Sequence, residues 1–125
     1  PFSLHELYGQ NVAITVGNMN VATTVATLEG IQEISSDHSG VRFVAFIGYD
    51  SDGVQCNQIC ASEIASTYGY GTVLFDPSLT LGTLNTWIDG ANTQTYLIDS
   101  SMEIHWKKSG TANADVVSGR LEEIE

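Results

Sequence analysis

The apolar positions in the first half of the chain follow two different periods. Residues 11–16 form a short and nearly continuous apolar run, which is typical of a strand covered on both faces. From Val21 to about Ser35 apolar residues return every three or four positions, which predicts one buried face of a helix. Residues 41–49 read as a second buried strand. A strand, a helix and a strand in this order predict a right-handed βαβ unit with a parallel pair of strands.

The second half of the chain continues with shorter elements. A helix is predicted from Val54 to Tyr68, with Ile59, Ile64 and Ala65 on its inner side. The remaining predicted elements are a strand at 72–75, a helix around 81–88, a hairpin of strands 95–99 and 102–107 turning at Ser100 and Ser101, and a final helix from Asp115. This order predicts one α/β domain over residues 1–125, a three-layer α/β/α sandwich with a mixed central sheet.

Composition narrows the possible partners. A chain of 125 residues with 42% apolar content can bury one core without metals or several disulfides. Fifteen acidic against four basic residues give a formal charge of −11, which repels nucleic acid and anionic lipid surfaces. No apolar run approaches the roughly 20 residues that span a bilayer, so membrane insertion is not expected. Because the chain begins with Pro1, we expect a processed product or a domain of a longer protein.

Three stretches of sequence resemble one family. They are "TYLIDSSMEIHWKKSG" at 95–110, "VRFVAFIGYDSD" at 41–52 and the pattern F-x-L-x-x-L-x-G at 2–9. Together with the predicted order of elements, they resemble the thioredoxin-like superfamily, in its periplasmic thioredoxin and peroxiredoxin-like branch. The resemblance implies a location outside the cytoplasm.

The chain departs from this family at the two parts of the family's redox site. Family members carry a pair of thiols at the start of the first long helix, where the helix N-terminus favours the thiolate. Here the corresponding stretch, with Asn18, Met19 and Asn20, contains no cysteine through Thr24. The family's cis-proline before the third core strand is replaced by Thr93. The comparison therefore predicts a vacated redox site, and no catalytic residue can be transferred from the family.

The two cysteines of the chain, Cys56 and Cys60, lie instead at the predicted start of the second helix. A spacing of one helical turn is near the upper limit for a disulfide, so a bridge is feasible if the turn is distorted. Loops that follow parallel strands open on one edge of the sheet, which would bring this pair near the vacated site. A structural disulfide, two ordinary thiols and a relocated redox pair all remain open.

Metal binding is a further alternative for the cysteine pair, because "QCNQICASEI" superficially resembles the motif of Sco-type copper chaperones. Two thiolates leave such a site incomplete without a histidine ligand. The candidates His5, His38 and His105 have no recognisable spacing. No metal and no cofactor are therefore predicted.

Residues 50–53, Asp-Ser-Asp-Gly, are similar to the opening of a calcium loop. The acidic residue that should close such a loop is missing, since Ala61 stands there and Glu63 lies beyond it. A polar turn after a strand is the simpler interpretation.

The sequence thus favours a redox-inactive thioredoxin-like domain over an enzyme. It would act as a binding or structural module, with a protein or small molecule as its partner, within a larger exported protein. The alternative is a thiol-disulfide oxidoreductase or peroxiredoxin-like enzyme that uses Cys56 and Cys60. A metal carrier is the weaker alternative.

Overall fold

A five-stranded mixed sheet forms the centre of the protein in a computed structural model that describes residues 9–75 and 93–125. In chain order the elements are β1 (Asn11–Gly17), α1 (Ala22–Ile34), a 3-10 turn (Ser35–Asp37), β2 (Val41–Ile47), α2 (Gln58–Tyr68), β3 (Thr72–Phe75), β4 (Thr93–Ile98), β5 (Ile104–Ser109) and α3 (Ala114–Glu122). The strand order across the sheet is β3-β2-β1-β4-β5.

The direction of the strands places two loops at the same end of the sheet. β1, β2 and β3 are parallel, whereas β4 runs antiparallel to β1, and β5 antiparallel to β4. In the register, the last residue of β1, Gly17, pairs with Ile47 on one side and with Thr93 on the other. The loops after β1 and β2 therefore begin side by side, next to the start of β4.

The helices α1, α2 and α3 contribute to one core on one face of the sheet. The side chains of each strand alternate between this face and the opposite one. In β1, Ala13 belongs to this core, whereas Val12 and Ile14 belong to a second cluster. The helices supply Leu28, Ile31, Cys60, Ile64, Val117 and Leu121 to the first core. None of the helices in residues 9–75 and 93–125 has the length and apolar character needed to cross a membrane.

The close approach of α1 and α3 depends on Gly30. A Cβ atom at this position would lie 3.2 Å from the Cβ of Ala114, a contact tighter than side chains normally make. The absence of a side chain at Gly30 thus allows the start of α3 to pack directly against α1.

The predicted fold class is confirmed, and most described elements lie where the sequence predicted them. The predictions for residues 1–8 and for a helix around 81–88 lie outside the described residues.

The predicted start of α2 at Val54 is wrong, because α2 begins at Gln58 after a turn that contains Gly53. The buried positions of α2 are Cys60, Ala61 and Ile64, which follow helical spacing from the new start. Ile59 therefore faces solvent with 69% of its surface exposed, contrary to its predicted inward position.

The hairpin also differs from its prediction in one detail. The Asp99 carboxylate accepts hydrogen bonds from the backbone N–H groups of Ser101 (2.9 Å) and Glu103 (3.1 Å). This arrangement forms a wider turn than Ser100 and Ser101 alone, and Met102 adopts a positive φ of 66° within it. As a result β5 begins at Ile104 instead of at Met102.

Tyr70 is a buried ionisable residue in the core between the sheet and the helices, and its phenol lies beside Thr15. Burial raises the pKa of Tyr70 well above its usual range, and the neighbouring Thr15 hydroxyl lowers it by a smaller amount. A raised pKa means that the neutral phenol is favoured in the folded state. Its contribution to stability is complete below the ordinary tyrosine pKa of about 10 and is lost progressively at higher pH.

We therefore expect wild type to lose more stability than Tyr70→Phe between pH 9 and pH 11, because phenylalanine has no group to ionise. Urea unfolding of both proteins across this range measures the difference. If the free energies of unfolding of wild type and Tyr70→Phe changed in parallel with pH, Tyr70 would ionise without loss of stability in the folded protein.

Candidate functional site

The loops after β1 and β2 are joined by hydrogen bonds beyond the end of the sheet. Gly48 donates its N–H to the carbonyl of Gly17 (3.0 Å), and Met19 donates to the carbonyl of Tyr49 (2.8 Å). The Asn18 side-chain oxygen accepts the N–H of Tyr49 (3.0 Å). These bonds hold the loop after β1, including Asn18 and Met19, against the loop that leads to the cysteines.

The loop after β2 folds back on itself before α2 begins. Tyr49 and Gln55 form an isolated antiparallel bridge, and the Asp50 carboxylate accepts the N–H groups of Asp52 (2.9 Å) and Val54 (3.0 Å). The carboxylate of Asp50 thus stabilises a polar turn, which agrees with the simpler interpretation of this segment. The returning chain brings the N–H of Cys56 to the carbonyl of Gly48 (2.9 Å) at the sheet edge.

Cys56 and Cys60 are joined by a disulfide across the first turn of α2, with an S–S distance of 2.10 Å. Their Cα atoms are 5.3 Å apart, inside the range that a disulfide requires. Asn57 between them is the N-cap of α2; its backbone is extended and its side-chain oxygen accepts the N–H of Cys60 (3.0 Å). Because Cys56 precedes this cap, the bridge connects the loop to the helix instead of joining two helical residues.

The two cysteines differ in their access to solvent. Both belong to the core on the helical face, with Cys56 1% and Cys60 8% exposed. Cys60, but not Cys56, lines a cleft of about 370 Å³ between α1 and α2, whose other walls include Val25 and Ile64. Met19, from the stretch that was predicted to be a vacated redox site, lines the same cleft, as do the acidic residues Asp50 and Glu63. Asn20 is exposed, and its side chain lies beside Gly53 in the neighbouring loop.

Threonine hydroxyls occupy the junction between the start of α1 and the start of β4. The Oγ1 atom of Thr93 lies 2.6 Å from that of Thr23 and 2.7 Å from that of Thr24. Thr24 also accepts the backbone N–H of Asn18 (3.2 Å). Hydroxyls of this type hydrogen-bond but do not ionise near neutral pH, so they connect α1 to β4 without providing a thiolate-like nucleophile.

Sequence reasoning identified Thr93 but did not identify Thr23 and Thr24 as its partners. The available signal was the group of threonines at positions 23, 24 and 27 near the start of the predicted helix. Thr24 and Thr93 are completely buried, and buried hydroxyls require partners.

His38 and His105, which were considered as metal ligands, are paired with other groups near the C-terminal helix. His38 is buried, and its ring nitrogens lie 2.8 Å from the Glu125 carboxylate and 2.8 Å from the Ser118 hydroxyl. His105 lies 2.8 Å from the Glu123 carboxylate, and this contact is the main reason that the pKa of Glu123 is lowered. His5 lies outside the described residues, within which no group of three or more His, Cys, Asp or Glu side chains could hold a metal ion.

Comparison of sequences finds no matching family model and no matching curated protein. Comparison of structures finds similar folds over nearly the whole chain. A secreted disulfide oxidoreductase of Mycobacterium tuberculosis, homologous to DsbE of E. coli, is 12% identical, with a TM-score of 0.75 over 98% of this chain and 88% of that chain.

Two further structures resemble the chain to a similar degree. The exposed lipoprotein thioredoxin of Streptococcus pneumoniae strain TIGR4 is 19% identical, with a TM-score of 0.71 over 98% of this chain and 90% of that one. A thiol:disulfide interchange protein, described as a putative DsbE, from Chlorobium tepidum is 15% identical, with a TM-score of 0.73 over 97% of this chain and 84% of that one. The protein therefore has a thioredoxin-like fold, and its disulfide lies at the start of α2.

Proposed function

We propose that the protein performs thiol–disulfide exchange and that Cys56 and Cys60 are its redox pair. The observation that carries this proposal is the position of Cys60, which forms the disulfide and also lines the cleft between α1 and α2. Ligands of open α/β sheets bind beyond the carboxyl ends of parallel strands, which is where this cleft lies.

The exchange would begin at the sulfur that a substrate can reach. A substrate thiolate attacks Sγ of Cys60, the bond between Cys60 and Cys56 breaks, and Cys56 leaves as a thiolate that takes a proton from solvent. A second thiolate of the substrate then attacks the substrate sulfur of the mixed disulfide. This step forms the substrate disulfide and releases Cys60 as a thiolate, which is also protonated. The substrate loses two electrons and gains a disulfide, while the protein gains two thiols. A small-molecule disulfide can reoxidise them.

The short loop closed by this disulfide favours a chemical role over a stabilising one. Only five residues from Cys56 to Cys60 lie within the bridge, so chain entropy accounts for about 2 kcal/mol of stabilisation at most. The structural neighbours named as disulfide oxidoreductase and thiol:disulfide interchange protein add support for this class of chemistry. The neighbours described as secreted and as an exposed lipoprotein support a location outside the cytoplasm, where disulfides persist.

A redox-inactive binding or structural module is the second candidate. It is supported by the nearly complete burial of Cys56. It is also supported by the buried hydroxyl of Thr93, which is hydrogen-bonded to threonine hydroxyls at the start of α1. In this case the disulfide would connect the loop after β2 to α2 without exchanging with substrates.

The test is oxidation of a dithiol peptide with glutathione disulfide as terminal oxidant, catalysed by wild type or by the double variant Cys56→Ser, Cys60→Ser. We expect wild type to accelerate the reaction at least about tenfold and the double variant to leave it at background, because exchange requires both sulfurs. Thr93→Val serves as a control that keeps both sulfurs and should retain the acceleration. No acceleration by wild type, together with a loss of about 2 kcal/mol in the double variant, would support the structural module instead.

A further inference from the structure

We infer that the substrate of this pair is an extended polypeptide segment that carries basic residues beside apolar ones and binds along α2 next to Cys60. The inference rests on the proposed function and names the class of molecule that the surface around the disulfide fits.

Three exposed apolar residues lie close to the disulfide along the chain. Val54 precedes Cys56 and is 59% exposed, and Ile59 precedes Cys60 and is 69% exposed. Tyr49, the bridge partner of Gln55 in the same loop, is 37% exposed. Exposed apolar side chains are frequent at sites of interaction, and here two of them precede the bridge along the chain and the third lies within it.

The same surface is negatively charged, and the segment of sequence that forms it contains no lysine or arginine. Residues 43–106 contain no lysine or arginine. Asp52 in the loop and Glu63 on α2 are exposed, and Glu63 lines the cleft that contains Cys60. Asp50 also lines that cleft, although its carboxylate already accepts backbone hydrogen bonds in the turn. An anionic surface of this kind attracts a cationic partner and accelerates its association.

Two depressions along α2 favour an extended partner over a small cation. The first is the cleft beside Cys60, and the second is a shallow groove of about 400 Å³ whose lining includes Ile59. Both depressions include Glu63 and Thr67, so they adjoin each other across α2. An extended chain places successive side chains on alternate sides, which allows a basic and an apolar residue to occupy the two depressions together.

The experiment compares two dithiol peptides that have the same cysteines and leucines but carry either lysine or glutamate at the flanking positions. In low salt we expect kcat/KM of wild type to be about tenfold higher for the lysine peptide, and this preference to fall to about twofold in 0.5 M salt. The double variant Asp52→Asn, Glu63→Gln should lose most of the preference. The matched control Glu33→Gln, Asp37→Asn removes two exposed carboxylates elsewhere and should keep it.

A second readout needs no exchange chemistry. Cysteine-free versions of the two peptides are titrated against the oxidised protein by fluorescence anisotropy, and the lysine peptide should bind at least about fivefold more tightly. Ile59→Gln should weaken this binding, whereas Val116→Gln, which changes an exposed apolar residue of α3, should leave it unchanged.

The outcomes separate the inference from the function on which it rests. Equal exchange rates for both peptides, or equal binding, would overturn the inference and leave the proposed exchange in place. Absence of exchange with every peptide would instead overturn the proposed function, and the inferred substrate with it.

Discussion

In Cys56→Ser the remaining thiol, Cys60, is expected to react with a small aromatic disulfide at least about tenfold faster than Cys56 reacts in Cys60→Ser. Cys60 lines an open cleft, whereas Cys56 is 1% exposed and its backbone is bonded to the sheet edge. Cys60 also lies in the first turn of α2, where the positive end of the helix dipole favours a thiolate. Stopped-flow measurement of the released chromophore gives both rates.

The same two variants test the order of events in the exchange. If Cys60 is the sulfur that substrates attack, Cys56→Ser should accumulate a stable mixed disulfide with a peptide that carries a single cysteine in the presence of glutathione disulfide, because neither the peptide nor the protein then has a second thiol to resolve it, and mass spectrometry would detect it. Cys60→Ser should accumulate much less. Equal rates in denaturant are the control that both thiols are intact, and a faster Cys56 in the folded protein would contradict the proposed roles.

Leu28→Ala is expected to reduce the free energy of unfolding by about 2–5 kcal/mol. Leu28 is completely buried on α1 and belongs to the core that also contains both cysteines. Truncation to alanine loses the transfer free energy of the side chain and leaves a cavity that the surrounding elements fill incompletely. Urea unfolding followed by circular dichroism measures the difference.

The matched control for this prediction is Val116→Ala, which removes apolar atoms from a residue that is 47% exposed on α3. It should change the unfolding free energy by less than about 0.5 kcal/mol. A similar small change for Leu28→Ala would mean that α1 does not pack against the core as described.

The regular elements were predictable because their patterns are local. The apolar spacing of residues 21–35 predicted α1, and the apolar runs at 11–16 and 41–49 predicted two buried strands. The position of Ile59 was not predictable in this way. Its burial depends on where α2 begins, and the turn formed by the Asp50 carboxylate delays that start to Gln58.

The candidate site was predictable in part. The resemblance of the sequence to the thioredoxin-like superfamily pointed to the stretch around Met19, to Thr93 and to the pair of cysteines as the candidate site. It could not place the cysteines in relation to the cleft, because the path of the loop after β2 depends on hydrogen bonds with Asn18 and Met19 of another loop.

The amino-acid sequence by itself determined the class of fold, the strong negative charge and the absence of cysteine from the start of α1, since each of these follows from residue identity or local periodicity. Only the tertiary structure decided that the two cysteines are bridged, that Cys60 and not Cys56 lines a cleft, and that Thr23 and Thr24 meet Thr93. The physical reason is distance along the chain. Contacts between residues about seventy positions apart are set by strand pairing and helix packing, which no local pattern of side chains records.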